Sequence, residues 1–183
     1  MNKVVVLDRD GVINVDLMTY VTKKEDFEII EGSLEAIIRL NKSGFKVAIA
    51  TNQACIGKEI ISHKELEEIH QHLLDLLKRQ GGTIDYIAYC PHDYSEETCL
   101  CRKPETGLLK EIENHFQTSL VGAYFVGDKE SDIQAALNHN SIPLLVKTGY
   151  GEKALTAKNC PPVERCFNNL LEASSFIISA GVS

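Results

Sequence analysis

The sequence has no surplus of positive charge. Its 183 residues carry 19 Lys and Arg against 26 Asp and Glu, a net charge of −7. Proteins that grip nucleic acid gather Lys and Arg to neutralise phosphates, so no nucleic-acid partner is expected. Long apolar runs are missing too, and no stretch approaches the ~20 residues that a membrane-spanning helix needs. The opening Met1-Asn2-Lys3 leads into the short run Val4–Leu7, with no small-residue cleavage site behind it. That is too little for a signal peptide. Internal repeats and low-complexity tracts are absent as well. Together these absences predict a cytoplasmic protein with no membrane partner, and the chain is expected to be a monomer.

With 44% hydrophobic and 25% charged residues, the chain has the balance of an ordinary globular protein, and its length suits one domain over 1–183. Short β-branched runs alternate with longer amphipathic stretches, the pattern of an α/β fold. Strands are expected at Lys3–Leu7, Lys46–Ala50, Ile84–Tyr89, Ala123–Val126 and Pro143–Val146. Most are apolar at consecutive positions, as strands buried on both faces of a parallel sheet must be. Ser33 opens one helix, which Gly44 ends, and Ser62 with Glu65 reads as a capping box for a second that stops at Gly81-Gly82. Further helices are expected near Gly107–Phe116, Ser131–Asn140 and Asn169–Ser179. The alternation predicts a three-layer, doubly wound, mostly parallel sheet of Rossmann-like type. Ligands of such sheets bind beyond the carboxyl ends of the strands, so the residues just after each strand carry the function.

Asp8-Arg9-Asp10-Gly11 follows the first strand, Thr51-Asn52-Gln53 the second, and Gly127-Asp128-Lys129-Glu130-Ser131-Asp132 the fourth. Arg102-Lys103-Pro104 opens the third helix. Each alone reads equally well as a surface turn, a helix cap or a solvated basic pair. Taken together, carboxylates, a hydroxyl and a lysine converge on one rim of the sheet. Mg²⁺ prefers such hard oxygen ligands and bridges them to a substrate phosphate. Thr and Lys side chains there can neutralise phosphoryl oxygens.

Six cysteines stand at 55, 90, 99, 101, 160 and 166. Nothing secretory accompanies them, which argues against a disulfide framework. Cys90, His92, Cys99 and Cys101 offer three thiolates and one imidazole, a closed tetrahedral zinc set. Four protein ligands leave no open position for water, so the zinc would be structural, ordering a loop at 90–101 that has little apolar content. Cys55, Cys160 and Cys166 read as ordinary thiols. His63, His70 and His72 read as surface or edge residues, and His115 and His139 belong to no motif.

The ordered set Asp-x-Asp-Gly, Thr, Lys and Gly-Asp-x-x-x-Asp resembles the haloacid dehalogenase superfamily of aspartate-nucleophile phosphotransferases. That resemblance implies that Asp8 is the nucleophile and forms an aspartyl-phosphate. It implies that Asp10 is the general acid and then the base. Asp8, Asp128 and the backbone carbonyl of Asp10 would hold Mg²⁺, while Thr51 and Lys103 would stabilise the phosphoryl group. Only 40 residues separate Asp10 from Thr51, too few for a folded cap, so the site should be open and covered by loops such as Asp16–Phe27 and the zinc loop.

The capless form with Cys-x-His, Cys-x-Cys-Arg-Lys-Pro is similar to the heptose-bisphosphate and histidinol-phosphate phosphatase group. The stretches DRDGVINVD at 8–16, ATNQ at 50–53, CPH at 90–92 and CRKPETG at 101–107 match the heptose-1,7-bisphosphate 7-phosphatase family more closely. By that resemblance the substrate is a small phosphorylated sugar. Arg102 would recognise the sugar or its second phosphate, and Asp16, Tyr20, Asn52, Gln53 and Lys129 would line the pocket. The product would feed ADP-heptose and lipopolysaccharide-core synthesis. Histidinol-phosphate hydrolysis is the alternative, and a phospho-accepting receiver module is a more distant one. Ala54-Cys55 departs from the Ser-Gly usual in the family.

Overall fold

A computed structural model describes residues 3–93, 95 and 98–181. Six strands form one sheet: β1 (Val4–Leu7), β2 (Lys46–Asn52), β3 (Tyr86–Cys90), β4 (Tyr124–Gly127), β5 (Ile142–Val146) and β6 (Cys166–Phe167). The spatial order is β3-β2-β1-β4-β5-β6, and every pairing is parallel. The expected "mostly parallel" sheet is therefore wholly parallel. Between them run α1 (Ser33–Lys42), α2 (His63–Arg79), α3 (Gly107–Phe116), α4 (Glu130–Asn138), α5 (Gly151–Ala154) and α6 (Leu170–Ala180). Neither β6 nor α5 is foreseen by the hydrophobic pattern. Two residues and four are too short to display a period.

Alternation along the strands divides the interior into two cores. Val5, Leu7, Val47 and Ile49 point to one face, where α1, α2 and α6 cover them with Ile37, Leu40, Leu66, Ile69, Leu73, Leu77 and Ile177. Val4, Val6, Ala48, Ala50, Ala88 and Phe125 point to the other, under α3 and α4 with Leu108, Leu109, Ile112, Ala135 and Ala136. Each fully buried Leu or Ile contributes roughly 1.5–3 kcal/mol over an exposed one. The small alanines of β2 and β3 let α3 lie close to the sheet, which brings its first turn to the rim where β1 and β2 end.

The helix starts show where sequence signals hold and where packing overrides them. Ser62 caps α2 as expected: its hydroxyl accepts from Glu65 N–H at 3.3 Å, and the Glu65 carboxylate accepts from Ser62 N–H at 2.7 Å. Ser33 does not cap α1. The N-cap is Gly32 at φ +82°, and the buried Ser33 hydroxyl donates to the Val12 carbonyl at 2.9 Å. The hydroxyl thereby ties α1 to the turn after β1.

The chain runs outward from β1 through β2 to β3, then crosses back to place β4 on the other side of β1. This reversal opens the crevice between β1 and β4 at their carboxyl ends. Asp8 N–H donates to Val126 O at 2.9 Å, so the loops leaving the two strands start side by side.

Candidate active site

Asp8 leaves β1 and Asp128 leaves β4, and with Asp132 from the first turn of α4 they form a buried group whose carboxylate oxygens lie within 4.8 Å of one another. Lys103 reaches this group from the segment before α3. Its ammonium donates to the Ala50 carbonyl at 2.7 Å and forms ion pairs with Asp8 at 2.9 Å and Asp132 at 2.6 Å. Burial alone would lower the Lys103 pKa, but Asp132 and Asp8 outweigh it and hold it above the ordinary value. Burial and the neighbouring Asp132 push Asp8 above the usual carboxylate range, against the pull of Lys103 and Lys129. Burial drives Asp128 up to about 8, with Asp132 and Asp8 adding to the rise and Lys129 opposing it.

Such a group calls for a cation. Asp128 Oδ1 is buried and has no hydrogen-bond partner among the described residues; the nearest ammonium, Lys129, is 3.9 Å away. Tyr150 N–H donates to Asp128 Oδ2 at 2.8 Å, fixing the carboxylate. Gly11 at φ +85° and Gly149 at φ +59° press their backbones against it so closely that a Cβ on either would collide with its oxygens. Hard, crowded oxygens with one lone pair unclaimed fit a small divalent ion such as Mg²⁺. Asp132 serves differently: besides Lys103, it accepts from the backbone N–H groups of Asp128 and Lys129 at 3.2 and 3.0 Å.

The Asp10 carboxylate stays outside the acidic group. It receives Arg9 Nη2 on both oxygens at 2.9 Å, Asn14 Nδ2 at 2.9 Å and Gln53 Nε2 at 2.9 Å. Burial would raise its pKa, but Arg9 and these bonds hold it below the ordinary range. The Asp10 side chain is thus engaged by donors rather than by the neighbouring carboxylates.

Asp8, Asp10, Lys103 and Asp132 form the floor of a cavity of about 660 Å³, large enough for a sugar bisphosphate, with Asp128 buried beneath. Asp16, Tyr20, Thr51, Asn52, Gln53, Arg102 and Lys129 all line it. Several are already engaged. Asn52 donates to the Lys103 carbonyl at 3.1 Å and accepts from Lys103 N–H at 3.0 Å, so its amide positions the lysine. Gln53 bridges Asp10, Thr51 and Arg9. Lys129 pairs with Asp16 at 2.8 Å across the mouth.

The cysteine cluster lies behind the same lysine. Cys90 Sγ is 3.6 Å from Cys99 Sγ and 3.2 Å from Cys101 Sγ, and Cys101 Sγ is 3.6 Å from Cys99 Sγ. His92 Nδ1 is 3.5 Å from Cys90 Sγ and 3.2 Å from Cys101 Sγ. A disulfide would need about 2.05 Å. The edges of a tetrahedron with Zn–S near 2.3 Å are about 3.8 Å, so the four atoms already stand near zinc geometry. Burial would raise the Cys99 thiol, but the Arg102 N–H, at 3.4 Å from its sulfur, and the adjoining thiols draw it down to about 7. That N–H couples the cluster to the backbone of the basic pair. Residues 94, 96 and 97 of the expected zinc loop lie outside the described residues.

The HAD-hydrolase-like family model matches residues 100–173. A Pseudomonas putida relative, named D-glycero-beta-D-manno-heptose-1,7-bisphosphate 7-phosphatase, is 44% identical over 92% of this chain and 95% of its own. The chain belongs to the HAD-like hydrolases. Two solved structures of D,D-heptose 1,7-bisphosphate phosphatases are similar to it throughout. The Bordetella bronchiseptica enzyme, described as complexed with magnesium and phosphate, matches with TM-score 0.92 and 34% identity over 97% of this chain and 99% of its own. The Burkholderia thailandensis enzyme matches with TM-score 0.75 and 32% identity over the same shares.

In this hydrolase the sequence reading missed one wall of the cavity. Tyr150, Lys153, Ala154, Thr156 and Ala157 line it from α5 and its flanks. The rule that function follows strand ends would have pointed to Thr148-Gly149-Tyr150 after β5. Asp132 went unassigned although it closes the quoted Gly-Asp-x-x-x-Asp motif. His70 is not at the surface as expected: it is buried against Arg9. Of the expected covering loops, Asp16–Val21 does line the cavity, whereas among the described residues the cysteine cluster itself does not, and the Arg102-Lys103 pair that follows it does.

The freshly purified hydrolase should contain about one zinc per chain by elemental analysis. Cys99→Ser with chelator should lower both the melting temperature and turnover, the latter about 10–100-fold, the usual effect of disturbing groups that orient a site. Zinc well below one per chain, with melting unchanged by chelation, would refute the zinc assignment.

Proposed function

We propose that the protein is a Mg²⁺-dependent phosphatase that removes the 7-phosphate of D-glycero-D-manno-heptose 1,7-bisphosphate through an aspartyl-phosphate. The reading places it in the cytoplasm as a monomer, feeding ADP-heptose for lipopolysaccharide core. The observation that carries it is the similarity to the Pseudomonas putida enzyme along 92% of the chain, which stands beside the buried group of Asp8, Lys103 and Asp128.

The geometry supports the following roles. Asp8 is locked in orientation by Arg9 N–H at 2.8 Å and Lys103, and one of its oxygens attacks phosphorus as the bond to the leaving oxygen breaks. Lys103 and the Thr51 hydroxyl face the phosphoryl oxygens, fixed donors in a buried setting where such contacts are strongest. Asp10 is ionised in the free site, and the negative charge of the bound substrate offsets Arg9 so that it holds the proton it gives to the departing alcohol. It then takes one from the water that hydrolyses the aspartyl-phosphate, so its proton balance closes over the cycle. Asp8 and Asp128, with the Asp10 carbonyl, would hold Mg²⁺, which when bound neutralises the crowded carboxylates and the substrate's negative charge. Arg102, Lys129 and Lys153 give the outer cavity the positive charge that a second phosphate needs.

The test is a comparison of kcat/KM for heptose 1,7-bisphosphate and histidinol phosphate with Mg²⁺ present. At least a hundredfold preference for the heptose is expected, because any other substrate lacks the second phosphate that the cationic outer cavity would bind. A higher value for histidinol phosphate would overturn the substrate assignment.

A further inference from the structure

Arg9 lies between the nucleophile and the acid in sequence, yet it does not line the cavity. Its side chain is fully buried on the other side of Asp10. Nη2 donates to both Asp10 oxygens at 2.9 Å and to Gln53 Oε1 at 3.2 Å, while Nη1 meets His70 Nε2 at 3.1 Å. The Phe27 ring lies 5.8 Å from the guanidinium carbon. A guanidinium can only donate, so His70 Nε2 must accept, and the ring is neutral with its proton on Nδ1. Burial and the adjacent Arg9 agree, driving the His70 pKa down to about 3. His70 is itself fixed, on the inward face of α2 with the Tyr89 ring edge-on at 5.9 Å.

We propose that His70 and Arg9 are positioning residues for the acid step: His70 accepts from Arg9 Nη1 and fixes the guanidinium, whose Nη2 aims the Asp10 carboxylate into the cavity. Two facts favour a positioning role over a merely structural one. A buried arginine paired to one carboxylate is weak support for stability, since hydrophobic replacements often do as well. And this pair ends on the residue that moves the proton, which lines the cavity with 20% of its side chain exposed while Arg9 is buried. General acids lose rate steeply when turned from line, because proton transfer needs hydrogen-bond contact. The inference rests on the acid role given to Asp10 above.

The readout is the dependence on the leaving group. An alkyl phosphate needs a proton on its departing oxygen, whereas p-nitrophenyl phosphate leaves as a stable phenolate and does not. His70→Leu fills the volume but offers no acceptor, and the ratio of alkyl to aryl turnover should fall about tenfold. His70→Gln, whose amide oxygen can reach Arg9, should restore most of the ratio. If His70→Leu does not fold, His70→Asn, too short to reach Arg9, takes its place. Equal losses on both substrates would mean general structural damage and would overturn the proposal, as would an unaltered ratio. The alkyl arm can use any alkyl phosphate that the wild type turns over. Failure on heptose bisphosphate alone therefore sinks the substrate assignment and not this inference.

Discussion

Asp8→Asn should reduce turnover by at least ~10⁴-fold, the order of loss seen when a nucleophile is removed from a covalent mechanism. The variant keeps nearly the shape of the side chain, and an amide oxygen can still accept from Lys103 and Arg9 N–H. What disappears is the anionic oxygen that bonds phosphorus. The substitution also removes a charge that burial and Asp132 already disfavour, so the variant should melt no lower than the wild type. Loss of rate without loss of stability separates a chemical role from a structural one. Acid-quenched wild-type enzyme should carry a phosphoryl group on the peptide containing Asp8, and the variant none. Wild-type rates in Asp8→Asn would refute the covalent route.

Lys103→Met should damage both stability and rate. The ammonium is buried and serves three acceptors, so its removal leaves Asp8 and Asp132 facing each other without a counter-charge. Breaking one partner of a buried ion pair typically costs about 3–5 kcal/mol. For a chain of this length that corresponds to a melting temperature lower by about 10 °C. Turnover should fall about 10²–10³-fold through the lost phosphoryl contact. The stability loss should narrow as pH falls, because protonating either carboxylate relieves the repulsion in the variant. It should also narrow in the double variant Lys103→Met, Asp132→Asn, which removes one of the stranded charges. A melting temperature within 2 °C of wild type would contradict the buried triad.

Much of this was legible because the chemistry sits at predictable places in the chain. Apolar runs of strand length located β1 to β5 to within two residues at either end, since both faces of a parallel sheet are buried and the pattern is hard to miss. The residues that follow β1, β2 and β4 then pointed to the cavity floor. The grouping of Cys90, His92, Cys99 and Cys101 was legible from residue type and spacing alone, and the structure brings the four together. The short elements escaped for the opposite reason: β6 and α5 are held by neighbours such as Leu145 and Ile133, not by a period of their own.

The sequence by itself determined the fold class and pointed to Asp8, Lys103 and the cluster of Cys90, His92, Cys99 and Cys101, because each depends on residue identity and local spacing. The tertiary structure alone decided how the polar groups are shared. Asn52 and Gln53 read as substrate contacts in one dimension, yet their amides serve Lys103, Asp10 and Thr51 across the sheet. His70 reads as a surface histidine on α2, yet the helix packs it onto an arginine 61 residues away. Such partners meet only once β1, β2, α2 and the segment before α3 are packed together. A side chain's donors and acceptors are assigned by what lies within 3 Å of it, and sequence distance carries no record of that.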